Sequence, residues 1–187
     1  TATLLKAVLA KDAGLVPPGG ILSLASVFDA PCPAGEGAAP RLMILTDAGV
    51  NIRPTLQRKV DILKNALAVA RALGIAAPRA AVLAATEKVN FPAMPATLDA
   101  DLLAKMGAEG AFGDARVAGP LALDLAVSPV SARLKGVDGP VAGRAAILLA
   151  PDIESGNILP KAVSTLLCAP VASVVVGSTV PVVAPSR

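Results

Sequence analysis

The chain has 187 residues, 54% of them apolar, and carries a formal charge of +3, which is enough length for one good core or one and a half domains. Aromatic residues make up only 2%, with no Trp or Tyr, so Ala, Val, Leu and Ile must fill the interior, and bases would find few rings on which to stack. Histidine is absent, which excludes a Ser-His-Asp triad, a Cys-His pair and any His-ligated metal built from this chain alone.

Taken in order, "TATLLKAVLAKDAG" (1–14) reads as a helix with a glycine stop, Leu4, Leu5, Val8 and Leu9 forming its apolar face. "ILSLASVFDA" (21–30) and "RLMILTDA" (41–48) read as strands joined by the Pro/Gly/Ala loop "PCPAGEGAAP", an antiparallel hairpin. "TLQRKVDILKNALAVARALG" (55–74) is the clearest helix, with Val60, Leu63, Leu67 and Ala70 at 3,4,3 spacing, Pro54 near its start and Gly74 at its end. "RAAVLAAT" (79–86) reads as a strand buried on both faces, "DADLLAKMGAEG" (99–110) as a helix and "ARVAG" (115–119) as a short strand. "PLALDLAVSPVSARLKG" (120–136) reads as helix in two pieces broken at Pro129, "AAILLA" (145–150) as a strand and "ESGNILPKAVSTLLC" (154–168) as a helix. "VASVVVG" and "PVVAP" close the chain as strands.

This alternation predicts an α/β fold of three αβα layers, with a mostly parallel sheet and one antiparallel hairpin. The uncharged run from Ala162 to Ser186 is divided by Pro170, Gly177, Pro181 and Pro185 into helix and strand lengths, not the ~20 apolar residues of a membrane span. Cys32 and Cys168 stand alone, which suits reduced thiols of a cytoplasmic protein. No leader pattern opens the chain, and its abrupt start at Thr1 suggests that more sequence precedes it.

Ligands of open α/β folds bind beyond the carboxyl ends of the strands. Four loops qualify: "TDAGVNIRPT", "TEKVNFPAMPAT", "AGPLALD" and "APDIESGN". Each loop taken alone also fits ordinary turn and capping chemistry. Neither a Walker loop nor G-x-G-x-x-G is present, which disfavours a nicotinamide enzyme using that fingerprint.

In order, "TDAGVNIRPTLQRKVDILKNAL", "VLAATEKVNFPAMPATLDADLLAKM", "GPLALDLAVSP", "GPVAGRAAILLAPDIESGNIL" and "VPVVAPSR" resemble the phosphate acetyltransferase/phosphate butyryltransferase family, closer to the butyryltransferase branch, over essentially the whole chain. The resemblance implies a cytoplasmic transferase moving an acetyl or short-chain acyl group between coenzyme A and inorganic phosphate to give an acyl phosphate. It implies coenzyme A as substrate, no bound cofactor or metal, no nucleic acid or membrane partner, and a homodimer. It further implies an isocitrate/isopropylmalate dehydrogenase-like fold, with 15–177 as the second α/β domain and 1–14 and 178–187 as remnants of the first.

The same resemblance assigns site residues. Ser186 and Arg187 match the family's Ser-Arg pair, the serine meeting the reacting carbonyl or thiol and the arginine clamping phosphate. Lys6 stands where acetyltransferases carry a second arginine, keeping the charge without the fork. Asp152, Gly156 and Asn157 match a Pro-Asp-x-x-x-Gly-Asn segment: Asp152 orients the loop, Gly156 allows close backbone approach, and Asn157 offers a donor and an acceptor. Arg144 matches a basic position, is counted with Lys6, Asp152, Gly156 and Asn157 among the substrate-binding residues, and is expected to pair with an acid of that segment. The departures are Leu125 where the family commonly has Asn, Pro185 directly before Ser186, and Pro160 in the helix after Asn157. A non-catalytic or accessory domain of a longer fusion with a hydratase-like domain is the alternative, and an oxidoreductase of the related dehydrogenase fold a third reading.

Overall fold

The computed structural model describes residues 6–8, 10, 13–30 and 41–183. The expected hairpin is present as β1 (Ser23–Ala30) antiparallel to β2 (Arg41–Thr46), with Ser26 opposite Leu45. α1 (Leu56–Ala72) follows, N-capped by the Thr55 side chain, and buries Val60, Leu63, Leu67 and Ala70, the stripe its spacing predicts. β3 (Arg79–Leu83) leads to α2 (Pro95–Ala108). This helix starts four residues before the expected Asp99, because Pro95 takes the first helical position, where its missing N–H costs nothing.

β4 (Arg116–Leu121) runs into two short helices, α3 (Leu123–Val127) and α4 (Pro129–Leu134), divided at Pro129 as expected. β5 (Ile147–Leu149), α5 (Ile153–Leu166) and β6 (Val171–Val176) complete the elements. α5 opens one residue before the expected Glu154, and Pro160 lies in its interior and is buried. The expected last strand is reduced, among the described residues, to one bridge between Val175 and Val182. Residues 6–8 are helical, and the rest of the expected first helix lies largely outside the described residues.

The six strands are ordered β4-β3-β5-β2-β1-β6. β2, β3, β4 and β5 pair in parallel, while β1 is antiparallel to both β2 and β6. One reversed strand therefore stands in a sheet whose other five run the same way; the second antiparallel pair was not expected. Successive side chains of a strand point to opposite faces. Ile44, Val82, Ile147 and Leu149 thus join a core under α1 and α2. Met43, Leu45, Ala81 and Leu148 join a second core with Leu125, Ala126 and Val163 of α3 and α5. Both sheet faces are covered, which gives three layers. Among the described residues no helix is long and apolar enough to cross a membrane.

Candidate functional site at the carboxyl edge of the sheet

The shared direction of β2, β3, β4 and β5 brings the four predicted loops to one edge. The first is organised by Asp47, which is buried at 3% exposure. Its Oδ1 accepts from the N–H groups of Leu24 (3.1 Å), Gly49 (2.9 Å) and Val50 (3.0 Å). Its Oδ2 accepts from Asn51 N–H (2.9 Å) and Asn51 Nδ2 (2.5 Å). Five donors satisfy one buried carboxylate, and a short turn becomes a rigid platform. Asn51 extends the network, donating to Leu22 O at 2.8 Å and accepting from Arg58 Nη1 at 3.2 Å.

α5 abuts this platform. Asp152 is its N-cap; Oδ1 accepts from Ser155 N–H at 2.9 Å and from the Ser155 hydroxyl at 2.6 Å. Partial burial pushes the Asp152 carboxyl up, but the Ser155 bonds and the charges of Lys59 and Arg53 outweigh it, so its pKa lies below the ordinary value. Gly156 is buried against the platform: a Cβ there would overlap the Asp47 carbonyl oxygen and lie 3.1 Å from the carbonyl carbon. Asn157 Nδ2 donates to Ala48 O at 3.1 Å, and Ile153 N–H donates to Ile52 O at 3.0 Å. Asp152, Gly156 and Asn157 therefore stand together against the first loop. Gly156 lets backbone approach backbone, and the Asn157 amide donates to the neighbouring loop.

The other candidates are distributed differently. Lys6 is exposed, and Val8, two residues on, packs with Leu22, Val50, Val175 and Val182, which puts this short helical stretch on the β1/β6 side of the same rim. Ser186 and Arg187 lie outside the described residues. Arg144 is exposed and precedes β5, whereas Asp152 and Glu154 follow it. The expected pairing does not form: with a rise of ~3.3 Å per residue, the strand holds the arginine at the opposite edge of the sheet.

On the β3/β4 side of the rim lies a cleft of about 560 Å³. The end of β3, the start of α2, Leu123 of α3 and one face of α5 line it, with Asp152 and Ser155 at its wall. Lys59, buried in α1, is paired with Asp99 of α2 at 2.7 Å. Sequence reading alone did not single out Asp47, Arg53, Lys59 or this cleft. The spacing Asp47–Gly49–Asn51 carried a signal for the first of these, a side chain able to cap the turn that follows it. Among the described residues no group of three or more His, Cys, Asp or Glu side chains is placed to hold a metal ion.

A model of the family described as "phosphate acetyl/butaryl transferase" matches residues 2–187. The chain belongs to that family. A probable phosphate butyryltransferase of Bacillus subtilis is 46% identical over all of this chain and 60% of its own length. A phosphate acetyltransferase of Thermotoga maritima is 47% identical, over 79% of this chain and 50% of its own length. The crystal structure of a branched-chain phosphotransacylase from Enterococcus faecalis superposes with a TM-score of 0.87 and 37% identity, covering 100% of this chain and 63% of that one. The chain thus spans about 60% of the length of the butyryltransferase relative, and the family match accounts for the order in which the rim loops occur.

Proposed function

We propose that the protein to which this chain belongs transfers a short acyl group between coenzyme A and inorganic phosphate. In the acyl-phosphate-consuming direction the thiolate of coenzyme A attacks the carbonyl carbon, a C–S bond forms, the C–O bond to phosphate breaks, and phosphate leaves with the electron pair. Attack requires removal of the thiol proton, stabilisation of the oxyanion and cations for the departing phosphate. Ser186 and Arg187 are assigned the carbonyl and phosphate contacts, and Lys6 a point charge on the same rim. Asp152, Gly156 and Asn157 hold the wall of the site in place, and Arg144 is assigned no substrate contact. The observation carrying this reading is the family match over residues 2–187, combined with a rim on which Lys6 and the 152–157 segment stand at one edge of the sheet.

The finer reading is a butyryl-like preference, supported by a butyryltransferase relative that aligns over the whole chain while the acetyltransferase aligns over 79% of it. Residues 15–177 are taken as the second domain of an isocitrate/isopropylmalate dehydrogenase-like pair, acting as a cytoplasmic homodimer. The test is release of free thiol from acetyl-, propionyl- and butyryl-CoA by the full-length protein, with and without phosphate. Release that requires phosphate is expected. Release without it would indicate a thioesterase, and no release would overturn the proposal.

A further inference from the structure

We propose that the cleft between α2 and α5 is the acyl-chain pocket of this transferase, and that Leu123, Ile158 and Ala162 set the chain length it accepts, favouring four carbons or more. This rests on the acyl-transfer reading above and adds to it a place and a size class for the acyl group.

Two sides of Asp152 differ in chemistry. On one side the backbone bond from Ile153 N–H to Ile52 O fixes Arg53 beside the first turn of α5. Arg53 is exposed and has no ion-pair partner among the described residues, and its charge, with that of Lys59, acts on the Asp152 carboxyl. On the other side the walls are Leu83, Met94, Leu123, Ile158, Leu159 and Ala162, almost without polar atoms. A ligand spanning Asp152 would place an anionic group toward Arg53, since Lys59 is already paired with Asp99, and an apolar group in the cleft. An acyl phosphate has that form, and so does the acyl end of a thioester when phosphate is bound alongside.

The groove, about 560 Å³ in volume, has room for chains longer than acetyl, whose methyl takes roughly 30 Å³. Ile158 is 66% exposed and Leu123 40% exposed at its walls, so apolar surface remains there for a longer or branched chain to cover. Ala96 and Ala162 keep the groove open from the two helices that face across it.

The experiment uses the full-length protein and an acyl-CoA series of two, four and six carbons. Binding is measured by calorimetry, and kcat/KM with phosphate. Wild-type affinity is expected to rise severalfold with each added pair of methylenes. Ala162→Leu, a good helix former placed in the groove, is expected to lower the six-carbon to two-carbon ratio of kcat/KM about 10-fold or more, and to flatten the rise in affinity. Unchanged far-ultraviolet dichroism would confirm that the variant folds. Affinity independent of chain length in the wild type overturns the pocket and leaves the cleft to a protein segment. A ratio unmoved by Ala162→Leu also overturns it. Affinity that rises with chain length, without any phosphate-dependent release, would sink the transferase reading while the pocket stands.

Discussion

Gly156→Ala sets two effects of opposite sign against each other. Gly156 lies in the first turn and a half of α5 without a left-handed φ, so alanine should improve the helix by about 1 kcal/mol. Against this, its Cβ would overlap the Asp47 carbonyl oxygen, and it would also lie 3.2 Å from Ala150 Cβ. The obstacle is backbone, held from the other side by the five donors on the Asp47 carboxylate, so no flexible side chain can swing away. Overpacking of this kind costs about 1–3 kcal/mol. If the loop yields instead, the bonds from Asn157 Nδ2 to Ala48 O and from Ile153 N–H to Ile52 O lengthen together, at about 1 kcal/mol each. Because the clash is with backbone, the upper part of that range applies, and less the helix gain the net expectation is a loss of about 1–2 kcal/mol, or roughly 2–8 °C in Tm for a chain of this size. Thermal unfolding followed by circular dichroism measures it. A double-mutant cycle with Asn157→Ala should be non-additive, since both changes break the same contact. A Gly156→Ala variant as stable as the parent, or more stable, would mean that the helix and loop are not locked as described.

Asp47→Ala leaves the N–H groups of Leu24, Gly49, Val50 and Asn51 without their acceptor, and should cost about 3 kcal/mol or more; a urea midpoint like that of the parent would contradict the platform. Asp152 has a folded-state pKa below its unfolded value, so its contribution to stability is present above the unfolded carboxylate range and is lost as pH falls through the folded value. Tm should therefore decline on acidification below about pH 4, and Asp152→Asn should make that decline shallower; identical pH profiles would remove the N-cap from the account.

Much of the fold was legible in the residues because local rules and tertiary packing agree here. The 3,4,3 stripe of α1, the two-sided apolar run of β3 and the break at Pro129 each follow from periodicity or from proline geometry, and each recurs in the structure. The start of α2 was misplaced because Pro95 has no hydrophobic period to announce it. The pairing of β6 with β1 escaped because its partner lies some 150 residues away, and no local pattern encodes which edge of a sheet a strand joins.

The site divides along the same line. Sequence order alone identified the family and brought Asp152, Gly156 and Asn157 forward as one segment, since a motif is a property of neighbours along the chain. Only the tertiary structure decided what those residues touch. Asn157 donates to a carbonyl 109 positions earlier in the chain, and Arg144 lies at the far edge of the sheet from the acids it was expected to meet. The cleft between α2 and α5 exists because parallel strands deliver separate loops to one rim. Contacts between distant segments follow from how the layers pack, and no stretch of residues read alone contains them.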